Sequence, residues 1–100
     1  MNSVRKATDI PKAVKDRVFE RDNGCCIFCG HPGMPNAHYI RRSQLGLGIE
    51  ENIVTACIEC HRAMDEGKFA KEFKAYARDY LKEMYKDWDE RKLVYRKGTT

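Results

Sequence analysis

The sequence predicts a small α+β domain built around a metal staple. Three observations lead there: apolar residues at helical spacing in two stretches, two short strand-like runs between them, and two Cys-x-x-Cys pairs bracketing those runs. A chain of 100 residues buries too little apolar surface to be generously stable, so a cross-link or a metal is expected to supplement its core. Five cysteines are an odd number for disulfides, and two matched pairs suit a metal better. That places the protein in a reducing compartment. No apolar run approaches the roughly 20 residues that cross a bilayer, and the N-terminus lacks the pattern of a signal peptide. The expectation is a soluble, cytoplasmic protein without a membrane partner. The formal charge of +4, from 19 Lys and Arg against 15 Asp and Glu, decides nothing alone. Its placement is more telling, because Arg41 and Arg42 follow closely on His38.

The residues before Asp9 show no periodicity and read as a loose tail. Asp9 is expected to cap a helix with Pro11 in its first turn, and Ile10, Val14 and Val18 give that helix one apolar stripe. Asn23-Gly24 ends it in a turn, and Cys25 to Gly33 suits a metal knuckle better than a regular element. Ala37 to Ile40 and Ile53 to Thr55 carry β-branched and aromatic residues and read as strands, joined by a long loop from Ser43 to Glu51. A short helix is predicted over Cys57 to Asp65. A longer amphipathic one follows from Phe69 through Phe73, Tyr76, Tyr80 and Met84 to Trp88, with its large apolar residues expected to pack on the domain. Lys71, Lys74, Arg78 and Lys82 on that helix are the alternative material for a nucleic-acid-facing side, and Arg96 to Thr100 are expected to be disordered. No repeat or domain boundary interrupts the chain, so residues 1–100 read as one domain.

Cys26-Ile27-Phe28-Cys29 and Cys57-Ile58-Glu59-Cys60 let both sulfurs of each pair turn toward one tetrahedral Zn²⁺. Cys25 is left over as a packing residue or a free thiol. The 27 residues between the pairs exceed the roughly 15 to 20 of a simple zinc ribbon. This insert contains His38, Arg41, Arg42 and Asn52, and His61 follows the last cysteine directly.

The run Arg21-Asp22, Cys26-x-x-Cys29, Ala37-His38-Tyr39-Ile40, Glu51-Asn52-Ile53-Val54 and Cys57-x-x-Cys60-His61 resembles the His-Asn-His (HNH) endonuclease family, in particular its small phage and bacterial members with a four-cysteine zinc site. The resemblance covers residues 10–65, with 68–95 as a C-terminal helical extension. It implies a zinc-stapled ββα-metal (His-Me finger) fold and metal-dependent hydrolysis of DNA to products with 5′ phosphates. It also implies roles. His38 is the general base, Asn52 holds the hairpin loop in shape, and His61 binds the catalytic metal. Asp65, four residues on, shares a helical face with His61 and joins it as a ligand. An unperturbed imidazole pKa of roughly 6.5 suits His38 to its task. Arg41 and Arg42 are candidates for the DNA backbone.

Many family members carry Asp or His just before the general base as a further ligand, where this chain has Ala37. Three completions of the metal shell stay open: Asp65 with water, Asn36, or phosphate oxygens of the DNA. The metals implied are structural Zn²⁺ and a catalytic Mg²⁺, Mn²⁺ or other divalent ion. The partners implied are double-stranded DNA and, in a phage or prophage setting within a bacterial cell, terminase or packaging proteins. Restriction and mobile elements are further settings. The competing reading is a non-catalytic zinc module that binds nucleic acid or protein through the same basic loop. A thiol or redox protein based on Cys25 is a third.

Overall fold

The computed structural model describes residues 3–96. The segment expected to be a loose tail is helical: α1 spans Ser3–Thr8, where Val4 and Arg5 accept bonds from the Thr8 hydroxyl and close the last turn. Asp9 does not cap the next helix. Pro11 stands at the N-cap of α2, Lys12–Arg21, with no side-chain cap, and the Asp9 carboxylate is paired with Arg42 instead. Asn23 and Gly24 both adopt positive φ, which makes the expected turn after α2.

Strand β1 is Met34–His38 and β2 is Ile53–Ala56, so the first strand starts earlier and stops sooner than its composition suggests. The two are antiparallel, with Ala37 opposite Val54 and His38 opposite Ile53, and the register slips between Met34 and Ala37. Tyr39 still donates its N–H to the Asn52 carbonyl at 2.8 Å, prolonging the pairing beyond the strand. The linking segment holds two 3₁₀ turns, Arg42–Gln44 and Glu50–Asn52. It is clasped from outside by the C-terminal tail, where Leu47 donates to Leu93 and Tyr95 to Leu45.

Helix α3 is Ile58–Glu66, with the Cys57 sulfur at its N-cap, and α4 is Ala70–Met84. The predicted second helix thus ends before Trp88, which lies beyond Tyr85 and donates its indole N–H to the Glu51 carbonyl. The two faces of the strand pair are covered by different helices. Ile53 packs with Val14 and Val18 of α2, while Ala37 and Val54 pack with Met64 of α3 and with Ala77 and Leu81 of α4. Because the sheet is covered on both sides, every residue of β2 is buried. The apolar stripe of α4 is narrower than expected: Phe73 and Tyr80 pack on the core, but Phe69, Tyr76 and Met84 stay exposed.

Between α2 and β2 lies a buried polar cluster. Asp22, whose side chain is wholly buried, accepts from Arg21 Nε at 2.7 Å, from Arg21 Nη2 and the Thr55 N–H at 2.9 Å each, and from the Tyr80 hydroxyl. Arg21 also donates to the carbonyls of Ile53 and Glu50 and to Tyr85 Oη. This cluster fastens α2 to the β2 end of the long loop.

Among the described residues no helix is long and apolar enough to cross a membrane. The expectation for Arg96 to Thr100 falls mostly on residues 97–100, outside the described part. Arg96 itself donates to the Arg91 carbonyl.

Candidate metal centre and polar cleft

The sulfurs of Cys26, Cys29, Cys57 and Cys60 all lie within 4.8 Å of one another. Tetrahedral zinc with Zn–S bonds of about 2.3 Å sets its sulfurs about 3.8 Å apart, and Cys29 Sγ stands 3.7 Å from Cys57 Sγ. The thiols also show the strain of sharing one place. Burial works to raise Cys26, yet N–H groups of Cys57, Cys29 and Phe28 bring it down to about 7. Cys60 is driven upward, first by burial and then by the other three sulfurs. A divalent cation relieves that conflict by letting several thiolates coexist, so the cluster fits a metal such as zinc. His31 Nδ1 lies 3.4 Å from Cys29 Sγ, and Cys25 stands apart with its thiol on the Asn23 carbonyl.

The staple joins the Cys25–Gly33 knuckle to the start of α3, and His61 is one residue past its last cysteine. His61 Nε2 and Asp65 Oδ2 are 3.4 Å apart, as i,i+4 neighbours on a helix should be. The other Asp65 oxygen, Oδ1, is shielded from solvent and has no hydrogen-bond partner. A buried carboxylate oxygen left bare is costly, and a cation beside it would meet that cost. His61 Nε2 and Asp65 Oδ2 are close enough to share one cation. Among the described residues, no set of three or more His, Cys, Asp or Glu side chains other than the four cysteines is spaced to hold one.

These two residues line a cleft of about 580 Å³ with Asp9, Lys15, Asn36, His38, Arg41, Arg42 and Ser43. His38 is buried at the end of β1. Its Nε2 lies 2.9 Å from the Thr8 carbonyl. A carbonyl only accepts, so Nε2 carries the hydrogen and Nδ1 is left as the basic nitrogen of the neutral ring. Burial holds the His38 imidazole below its ordinary value, aided by the charges of Arg42 and His61, while the Thr8 carbonyl and Asp65 pull the other way. The neutral form therefore prevails at neutral pH.

Asn52 is fully buried. Its Oδ1 accepts from the Ile40 N–H at 2.8 Å, and its Nδ2 donates to the carbonyls of Ile40 and Leu47 at 3.1 and 2.8 Å. One amide thus bolts the strand end to the loop that carries Arg41 and Arg42. Arg41 reaches the Asp65 carbonyl at 3.3 Å. Ala37 faces the opposite side, in the core with Met64 and Leu81, so its methyl leaves no gap in the cleft. Of the completions of a metal shell that the sequence left open, both Asp65 and Asn36 are side chains that the fold brings to the cleft.

Three contributors were missed in the sequence. The helical pattern of α2 places Lys15 on a face away from its apolar stripe, but nothing local says which surface that face meets. Asp9 resembled a helix cap. Thr8 acts through its main chain, which leaves no mark on residue type. Compared with known proteins, the chain matches no family model and no curated protein.

Proposed function

We propose that this protein is a metal-dependent endonuclease of the His-Asn-His type that hydrolyses phosphodiester bonds of double-stranded DNA, built on a ββα-metal unit of β1, β2 and α3. The observation that carries the reading is His38, buried with Nε2 committed to a carbonyl, sharing one cleft with His61, Asp65 and three cations. A base must be neutral yet reachable, and this ring is held so.

In the reading proposed, His38 Nδ1 takes the proton from the water that attacks phosphorus. The Nε2–H bond to Thr8 keeps the ring in the productive tautomer and steadies the imidazolium as it forms, the part an aspartate plays in a serine-protease triad. Lys15, Arg41 and Arg42 draw the polyanionic backbone into the cleft and balance its charge without reading its sequence. Asn52 positions the arginines rather than acting on substrate. His61 and Asp65 would hold a divalent ion such as Mg²⁺ or Mn²⁺, with Asn36 the nearby neutral oxygen donor. When bound, that ion supplies charge stabilisation on the phosphate and the leaving oxygen. A phage or prophage setting, with packaging proteins as partners, belongs to the same proposal and rests on resemblance alone.

The competing reading is a zinc-stapled binding module without catalysis, favoured because, among the described residues, no third His, Cys or carboxylate is spaced to share a cation with His61 and Asp65. Supercoiled plasmid separates the two. Zinc-loaded protein is incubated with and without added Mg²⁺ or Mn²⁺, beside His38→Ala. Nicking or linearisation that needs the added metal and falls at least about 100-fold in the variant, the scale of a general base, supports the nuclease. Cutting undiminished in His38→Ala overturns the assignment, and DNA binding without cutting under any metal favours the module.

A further inference from the structure

The cleft contains one charge that the nuclease reading leaves without a task. Asp65 faces His61, but Asp9 lies at the rim with its carboxylate on Arg42 Nη2, both side chains about half exposed. A fixed carboxylate at the mouth of a cleft that must admit a polyanion repels what should enter. Asp9 is not there as a helix cap, since α2 has none from a side chain. Nor can its main chain withdraw readily. The Asp9 N–H is bonded to the Arg5 carbonyl at 2.9 Å, and Gly48 donates to Ala7 at 3.0 Å. The Asp9 carbonyl packs so tightly on Gly48 that a Cβ there would stand 1.9 Å away. Only the side chain is free to swing.

The cations nearby differ in their commitments. On α2, Lys12 is paired with Asp16 and Arg17 with Glu50. Lys15, between them, lines the cleft, and its side-chain ammonium has no ion pair or hydrogen bond among the described residues. Arg42 stands in the same cleft with an anion already on its guanidinium. Exposed ion pairs of this kind contribute little, whereas a phosphate offers a guanidinium a stronger, forked partner.

Resting on the nuclease reading, we propose that Arg42 and Lys15 form a subsite for a DNA backbone phosphate whose occupant in the free protein is the Asp9 carboxylate. Binding then exchanges one anion for another on Arg42. Asp9 swings out to solvent while Thr8, held by the anchored main chain, keeps its bond to His38. The acid shields the arginine from weak anions and yields to a polyanion that also engages Lys15.

The test is fluorescence anisotropy of a short labelled DNA duplex with zinc-loaded protein, without added magnesium or manganese, from about 50 to 200 mM salt. Asp9→Asn keeps the shape and the main-chain bonds while removing the charge. It should tighten binding about two- to fivefold at the low-salt end, the scale of an exposed charge contact. The gain should vanish in an Arg42→Gln background. Lys15→Gln, which breaks no side-chain hydrogen bond or ion pair among the described residues, should weaken binding and lower the salt slope by about one. Asp9→Asn binding no tighter than wild type, or a gain undiminished by Arg42→Gln, overturns the exchange. An unaltered salt slope in Lys15→Gln removes that residue from the subsite. If the wild type cuts plasmid yet Asp9→Asn gains nothing, only the subsite fails. If the wild type binds no DNA, the nuclease reading fails with it.

Discussion

Replacing Asp22 should be the most damaging single change to this fold outside the cysteines. Its carboxylate is wholly buried and takes four donors, two from Arg21, one from the Thr55 amide and one from Tyr80. Asp22→Ala leaves a guanidinium whose side chain is only 11% exposed without its counter-charge and strands the buried Thr55 N–H. Removing one partner of a buried pair costs about 3–5 kcal/mol, a large part of the roughly 5–15 kcal/mol that holds a domain of this size together. Asp22→Asn keeps the shape and one acceptor oxygen and should cost about half as much. The assay is urea unfolding of zinc-loaded protein at pH 7, read through Trp88, the one tryptophan in the chain, which packs edge-on to Tyr39. The pH dependence supplies the sign. Burial works to raise the Asp22 pKa, but the hydrogen bonds from Arg21 and Tyr80 and the arginine's charge outweigh it, and the carboxyl is held below its ordinary value. A group depressed on folding stabilises fully above its unfolded pKa, about 3.9, and loses that contribution as pH falls through the lower folded value. The stability gap between wild type and Asp22→Asn should therefore stay level from pH 7 to about 5 and narrow below about 4. Loss of less than about 1 kcal/mol in Asp22→Ala, or a gap that widens toward acid, would refute the reasoning.

Two further outcomes follow from the site. Removing metal from the four-cysteine cluster with a strong chelator should unfold the protein or lower its Tm by tens of degrees, because structural zinc contributes on the order of 10 kcal/mol; an unchanged melting curve would count against the staple. Asn52→Ala should cost about 2–3 kcal/mol by orphaning the Ile40 amide and the Ile40 and Leu47 carbonyls. Hydrogen exchange at the Ile40 amide should quicken relative to Val54, and protection at Ile40 equal to wild type would contradict that role.

What was legible in the sequence had a short-range signature. The α2 stripe of Val14 and Val18, the two cysteine pairs and the i,i+4 spacing of His61 and Asp65 are local patterns, and each has the geometry expected of it. The errors came where tertiary context decides. Segment 3–8 has no amphipathic period, because a helix this short is held by the Thr8 hydroxyl and by the Ala7 contact with Gly48 rather than by an apolar stripe. The spacing of Trp88 continues that of Met84, but the chain leaves the helix at Tyr85 and sends the indole to the Glu51 carbonyl. Asp9 has the right identity for a cap and instead found a cation 33 residues away. None of these is visible within one turn of helix.

The cleft draws on four separate pieces of chain, and different anchors hold them. The cysteine cluster sets the start of α3, through the Cys57 cap and Cys60, and so fixes where His61 and Asp65 stand. The Arg21–Asp22 cluster ties α2, and with it Lys15, to the end of the long loop at Glu50 and Ile53. Asn52 bolts the same loop to β1, and α1 supplies the carbonyl that orients His38. The cysteine cluster and the buried aspartate therefore act on position, while the cleft residues themselves include several that are poorly satisfied: a bare oxygen on Asp65, a Lys15 ammonium unpaired among the described residues, and an arginine on an exposed acid. Groups that serve only to hold a fold together are ordinarily satisfied within it. Thr55 Oγ1, buried in β2 without a partner, is an exception outside the cleft. The bare Asp65 oxygen, the Lys15 ammonium and the exposed Asp9–Arg42 pair all line the one cleft, as expected where a charged ligand completes the set.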